Sequence, residues 1–481
     1  MNPTSFDTTQ GGPLLQATMK VTPSAANPAN APAPHRAPRI AGTTAVVLAA
    51  GFGTRMKSAL PKALHPIAGQ PMLRHLLATC EAVFERIVVV VGPGMESVAQ
   101  VAAPHAFVVQ QERLGTAHAA LQAAAQFGTG EVAVLYADNP LVTEATLRAL
   151  LGRRHAATPA DLVLLAMHPA DPARYGRVIG TPDDVERVIE FKDATPAERE
   201  VGLCNAGVLC AAAADMARWL ATVGCDNAAG EYYLTDLVGL ARAEGRRVAA
   251  VTAPEAELRG VNSRAELAEA EATAQKALRL AAMEAGVTMT APETVFLCTD
   301  TRFGQDVTIG PNVVFGPGVT IETGVEIRAF SHLEGCIVRT GAIIGPFARL
   351  RPGTEVGEAA HVGNFVELKA THLGAGAKAN HLAYLGDAAI GAGSNIGAGT
   401  ITCNYDGFAK HRTTIGAGVF VGSNAILVAP VQIGDGAMVT AGSVITADVA
   451  PDAMAFGRAR QEEKPGRAAA FRAANRHDRK A

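Results

Sequence analysis

From residue 44 to about 260, short apolar runs alternate with stretches whose apolar positions recur every three to four residues. The runs TAVVLAA (44–50), RIVVVVG (86–92), EVAVLYAD (131–138) and DLVLLAM (161–167) read as strands buried on both faces of a sheet. Segments 71–83 and 115–126 carry helical spacing between them. This alternation predicts an α/β domain, Rossmann-like, on a mostly parallel sheet. Ligands of such sheets sit at the carboxyl ends of the strands. Two polar stretches fall there, the loop after Leu48 and YADNP (136–140).

A different pattern follows. Residues 263–286 are rich in Ala and Leu, with Ser263 and Glu266 spaced as a capping box and Gly286 as a stop. They predict a connecting helix. After 300 the period becomes six: Phe303, Ile309, Phe315, Ile321, Ile327 and Leu333 form one row. Ile344 to Leu368 resume it after a slip, and Ile415 to Ile445 resume it again. A sustained hexad predicts a β-helix whose coils bury a ladder of aliphatics. The register breaks across TCNYDGFAKHRTT (402–414), and an insertion in a solenoid loops out on one face, often the binding face. The expected organisation is a disordered extension over 1–40, a nucleotide domain over 41–264, a linker helix over 265–286, and a β-helix with a basic tail over 287–481.

Composition narrows the function. A chain of 481 residues exceeds one ordinary core. A formal charge of -3 gives no footprint for nucleic acid. No apolar run reaches the length of a membrane span. Seven scattered cysteines without a C-x-x-C pair suit a reducing, cytoplasmic compartment.

The loop LAAGFGTRMKSALPK (48–62) carries candidate chemistry. Met56 stands where a dinucleotide fingerprint needs a small residue, and no Gly-Lys-Ser/Thr closes a Walker loop. What remains is a glycine turn with two cations, Arg55 and Lys62, a pattern that suits a nucleoside triphosphate. Glycines 51 and 53 leave room for backbone amides to approach phosphate.

This motif, followed by a helix and a hexad solenoid carrying HLAYLGD and NIGAGTITCNYDG, resembles the bifunctional bacterial N-acetylglucosamine-1-phosphate uridylyltransferase/glucosamine-1-phosphate acetyltransferase family over about 44–460. The resemblance implies uridylyl transfer from UTP in the first domain and acetyl transfer from acetyl-CoA in the second. It also implies sugar-phosphate substrates, Mg²⁺, a left-handed β-helix, and a homotrimer with acetyl sites where subunits meet. In the first domain it points to Leu48, Ala49, Ala50, Gly51, Lys62, Gln110, Gly115, Thr116, Tyr136, Ala137, Asp138, Gly176, Glu190, Asn205 and Asn262 for the nucleotide sugar. Arg55 and Lys62 would act on the phosphates, and Asp138 with Asn262 would hold the metal. Two departures stand out: Ala117 and Ala137 occupy positions where the family commonly has glycine, and each adds a methyl that narrows the site.

In the solenoid the resemblance makes His381 the base for the sugar ammonium, a task suited to an imidazole near neutrality. Glu367 would orient that imidazole. Arg351, Lys369 and Tyr384 would hold the sugar phosphate. Asn395, Asn404 and Tyr405 would position sugar and acetyl group. Ala398, Ser423 and Ala441 would line acetyl-CoA, with Arg458 on its phosphates. Three other readings compete: a single-activity sugar nucleotidyltransferase with a supporting β-helix, a β-helical zinc enzyme using His361, His372 and His381, and a purely structural solenoid.

Overall fold

The computed structural model describes residues 37–172 and 175–475. Most of the expected extension lies outside them, and Ile40 already opens the first strand. From Ala37 onward the chain packs as one unit.

The sheet runs, edge to edge, Val248–Thr252, Leu162–Met167, Cys204–Ala212, Glu131–Tyr136, Ile40–Leu48, Phe84–Val91, Ala106–Val109. Neighbours are parallel except around Cys204–Ala212, which is antiparallel to both strands beside it. Both faces are covered. Ala45 and Val47 pack with Leu73, Leu76 and Leu77, while Val46 and Leu48 pack with Ala117, Ala120 and Phe127 on the other side. That two-sided burial is why the strand runs are apolar without alternation. Leu48 lies opposite Tyr136, so the glycine loop and the loop bearing Asp138 leave the sheet side by side. The first predicted helix is found at Met72–Val83. The second is shorter than expected, Thr116–Leu121 with a separate 3-10 turn at Ala124–Gln126.

The linker helix spans Arg264–Glu284. Ser263 Oγ accepts from the Glu266 amide at 3.2 Å, but the Glu266 carboxylate accepts from the amide of Asn262 at 2.6 Å instead of closing back on Ser263. The expected capping box is therefore half formed, and its carboxylate fixes Asn262. Farther along, Ala270 and Ala274 pack on Ile67, Ala68 and Met72. The buried Gln275 amide donates to Leu297 O at 2.7 Å and accepts from Leu297 N at 2.9 Å. Two such bonds, each about 1 kcal/mol net, tie the helix to the first coil of the solenoid.

The solenoid is a parallel β-helix of three sheets with ten, eight and eight strands. Each hexad residue points inward, and all but the partly buried Phe303 are sealed in a single core. The ladder also runs unbroken through Leu373, Ala379, Leu385, Ile390 and Ile396. Five-residue steps, such as Leu385 to Ile390, interrupt the six-residue count there without interrupting the stacking. At the expected insertion, sheet register jumps from Asn395 to Phe420, then resumes with Met438. The basic tail carries a short exposed helix, Arg467–Ala474.

Candidate active sites

A cavity of about 260 Å³ opens at the carboxyl end of the sheet. Leu48, Ala49, Ala50, Gly51, Lys62, Gln110, Gly115, Thr116, Tyr136, Ala137 and Asp138 line it, as the sequence suggests. Gln110 is buried and donates from Nε2 to Gly115 O at 3.1 Å. Thr116 Oγ1 accepts from Leu234 N at 2.9 Å, which closes the far wall. The two loop glycines differ in use. Nothing lies near the place a Gly51 Cβ would occupy, so its backbone is open to a ligand. A Cβ on Gly53 would meet Lys62 Cβ at 2.6 Å, so that glycine makes room for the lysine.

Four side chains converge beside the cavity. Lys62 Nζ pairs with Asp138 Oδ2 and donates to Asn262 Oδ1 at 3.0 Å. Arg55 Nη2 donates to the same Asn262 oxygen at 2.9 Å. Arg264, at the start of the linker helix, donates to Met56 O at 3.2 Å and lies 3.3 Å from His65 Nδ1. It thereby clamps both short turns that carry Arg55 and Lys62. Burial, reinforced by the Arg264 charge, lowers the pKa of His65, which favours the neutral ring.

Gly176, Glu190 and Asn205 lie outside the lining of this cavity, and Gly176 is next to both of the others. Asn205 N donates to Gly176 O at 2.9 Å, and Glu190 accepts from Thr235 Oγ1 at 3.2 Å. Burial raises the Glu190 carboxyl above its usual range, and Asp193 and Asp236 add to the shift. The expected narrowing by Ala117 is not found. Its methyl is absent from the lining and fully buried in the core with Val46 and Leu48. Ala137 does line the cavity.

On the solenoid, Arg349–Leu350, Glu367–Lys369, Tyr384–Gly386 and Ile401–Cys403 are neighbouring strands of one sheet. Glu367 lies opposite Tyr384 and Lys369 opposite Gly386, which gathers the expected phosphate-binding residues on adjacent coils. Arg351 donates to Glu367 at 2.9 Å and Lys369 to Asp387 at 3.2 Å. Asn404 is buried and its amide also donates to Asp387. Burial opposes the Asp387 charge, yet Asn404 and Lys369 outweigh it and hold that carboxyl below its usual range. Exposed His381 shares Nδ1 with Asn364 Oδ1 at 2.8 Å, across paired strands. Glu367 thus bonds Arg351, while the partner of the imidazole is Asn364. Asn395 is on the sheet of His381, opposite Lys378. Ala398, Ser423 and Ala441 follow one another on successive turns, bonded through Asn424 N to Ala398 O and Gly442 N to Ser423 O. Arg458 reaches the Gly442 turn at the end of that column. Tyr405 stands exposed on the looped-out segment.

Residues 45–179 match the MobA-like NTP transferase domain, 300–335 match the bacterial transferase hexapeptide (six repeats), and 412–447 match the hexapeptide repeat of succinyl-transferase. The chain is 66% identical over 461 residues to bifunctional protein GlmU of Gluconacetobacter diazotrophicus, covering 95% of this chain and 99% of that one. It is 67% identical over 429 residues to bifunctional protein GlmU of Acidiphilium cryptum, covering 89% and 98%. The chain belongs to the bifunctional GlmU family.

Membership makes the chain a bifunctional transferase, with a nucleotidyltransferase domain and a left-handed hexapeptide β-helix that carries acyl transfer. Uridylyl and acetyl transfer are its two activities, and a merely supporting solenoid is not the reading these relatives favour. The zinc reading finds no support in the geometry either. His361 and His381 are on one sheet and His372 on another, where it faces Glu355. Three residues that shape these clusters went unnoticed in the sequence: Arg264, Asn364 and Asp387. Asn364 and Asp387 stood inside the motifs NFVELK and YLGD, where only register shows their partners. Among the described residues, no helix is long and apolar enough to cross a membrane.

Proposed function

We propose that the GlmU-type reactions run at the residues named above: acetylation of glucosamine 1-phosphate on the solenoid, then uridylyl transfer to N-acetylglucosamine 1-phosphate at the sheet. The observation that carries the first-domain reading is the convergence of Asp138 and Asn262 oxygens on one cationic group. A carboxylate and an amide oxygen aimed at one point are hard donors that suit Mg²⁺. Bound there, the ion would neutralise charge on the nucleotide phosphates. The protein's own part is positional. The amides of residues 50–54 and the ammonium of Lys62 hold the phosphates, Gln110 and Gly115–Thr116 hold the base, and Glu190, Asn205 and Gly176 hold the sugar. In-line attack by the sugar phosphate on the α-phosphorus then needs little more than alignment and charge stabilisation.

At the acetyl site, Asn364 accepts the Nδ1 proton of His381, so Nε2 keeps its lone pair. That nitrogen takes a proton from the sugar ammonium, the freed amine attacks the thioester carbonyl of acetyl-CoA, and the C–S bond breaks as CoA leaves and takes up the proton. Arg351, Lys369 and Tyr384 hold the sugar phosphate, Asn395, Asn404 and Tyr405 the sugar and acetyl group. Ala398, Ser423, Ala441 and Arg458 hold the coenzyme. The chain works in the cytoplasm as a homotrimer. Phe330, Phe347 and Phe365 support that state: they stack along one corner with centroids 4.9 and 5.1 Å apart, and all three are exposed. The test is a pair of assays. Asp138→Ala abolishes uridylyl transfer and spares acetyl transfer; equal loss of both would contradict the assignment.

A further inference from the structure

The cavity wall holds a second cation beside Lys62, Arg113, that the reaction described above does not use. Three features fix its guanidinium. Nε donates to Ala50 O, in the glycine loop, at 2.9 Å. The group lies over the Phe52 ring, 3.7 Å from its centroid. Gly92 leaves the space that Arg113 Nη2 fills, since a Cβ on that glycine would collide with it. Carbonyl, ring and glycine are all uncharged, so the anchors orient the guanidinium without neutralising it. Lys62 differs, because its charge is already paired with Asp138.

A planar cation held at a cavity wall, its Nη groups hydrogen-bonded to none of these anchors, matches phosphate oxygens in two-point contact. The position limits which phosphates. Arg113 is anchored on the glycine loop, whereas Asp138 and Asn262 converge on Lys62 at the neighbouring strand end. We infer that Arg113 binds the β- and γ-phosphates of UTP, and so holds the pyrophosphate that leaves when the α-phosphorus is attacked. This rests on the proposed uridylyl transfer. The bond broken is that between the α-phosphorus and its bridging oxygen to the β-phosphate, and the electron pair goes to the pyrophosphate beside Arg113.

The experiment compares full-length wild type, R113Q and R113K in forward and reverse uridylyl transfer. R113Q raises KM for UTP, and for pyrophosphate in the reverse direction, by about tenfold, the effect of one charge-assisted phosphate contact. KM for N-acetylglucosamine 1-phosphate and the rate of acetyl transfer stay within about twofold, since neither the sugar phosphate nor the solenoid touches Arg113. R113K, which keeps the charge and loses the Nε anchor, recovers most of the pyrophosphate affinity. The inference is overturned if R113Q leaves both KM values unchanged, if all substrates weaken equally, or if R113K is as impaired as R113Q. The last two outcomes would make Arg113 a pin for the glycine loop. Absence of UTP turnover in the wild type would instead sink the proposed function itself.

Discussion

At the scale of single residues, charge placement matters more than its amount. The Arg351–Glu367 pair is over a third exposed on its arginine side and adds about 0–1 kcal/mol to stability. In the proposed acetyl site its consequence is to hold a guanidinium where the sugar phosphate would arrive. His381→Ala should lower acetyl-transfer kcat by about 10²–10⁴-fold, the range of a general base, with uridylyl transfer intact. Asn364→Leu should act through the same imidazole and produce a smaller loss. Asp387 stays charged near neutrality, because Asn404 and Lys369 outweigh burial and hold its carboxyl below the usual carboxylate range. Glu190 gives the opposite sign. Its carboxyl, raised above 4.5 by burial, carries stability that is complete below 4.5 and lost as pH rises through the raised value. Glu190→Gln should therefore melt above wild type at pH 8, with the gap closing near pH 4. A gap that widened on acidification would show that Glu190 is not buried as a strained carboxylate.

At the scale of elements, the start of the linker helix organises the nucleotide site. Arg264 clamps the turns of Arg55 and Lys62, and Glu266 holds Asn262. Arg264→Ala should raise KM for UTP several-fold and lower the uridylyl kcat while leaving acetyl transfer unchanged; steady-state assays of both reactions check this. In the solenoid, Leu385→Ala should cost about 2–5 kcal/mol, as large-to-small changes in sealed cores do. Because each coil touches only its neighbours, acetyl transfer should be lost on heating before uridylyl transfer. The strands, the linker helix and most of the ladder were legible in sequence because burial on one or two faces imposes a period. The coils between Leu368 and Ile415 were not, since five-residue steps break the count while leaving inward stacking intact. Site residues inside fixed motifs were legible by type. Asn364, Asp387 and Arg264 were not, because their partners lie one coil or about 200 residues away and no local spacing reports such contacts.

At the scale of the whole molecule, two chemistries occupy one chain on two frameworks. The boundary between them runs through bonded residues. Cutting after 264 removes Glu266 and also Glu271, which accepts from Ala68 N at 2.7 Å. A fragment ending at 286 should therefore retain uridylyl transfer better than one ending at 264. The exposed Phe330–Phe347–Phe365 corner should make Phe347→Glu dissociate in sedimentation experiments and lose acetyl transfer first. The most direct measurement supplies UTP, acetyl-CoA, glucosamine 1-phosphate and Mg²⁺ to the purified chain and follows products with time. The wild type should form UDP-N-acetylglucosamine. Asp138→Ala should stop at N-acetylglucosamine 1-phosphate, and His381→Ala should make UDP-N-acetylglucosamine only when N-acetylglucosamine 1-phosphate is added. Formation of the nucleotide sugar by either variant at the wild-type rate from the original substrates, or blockage of both reactions by either single change, would contradict the assignment of one reaction to each framework.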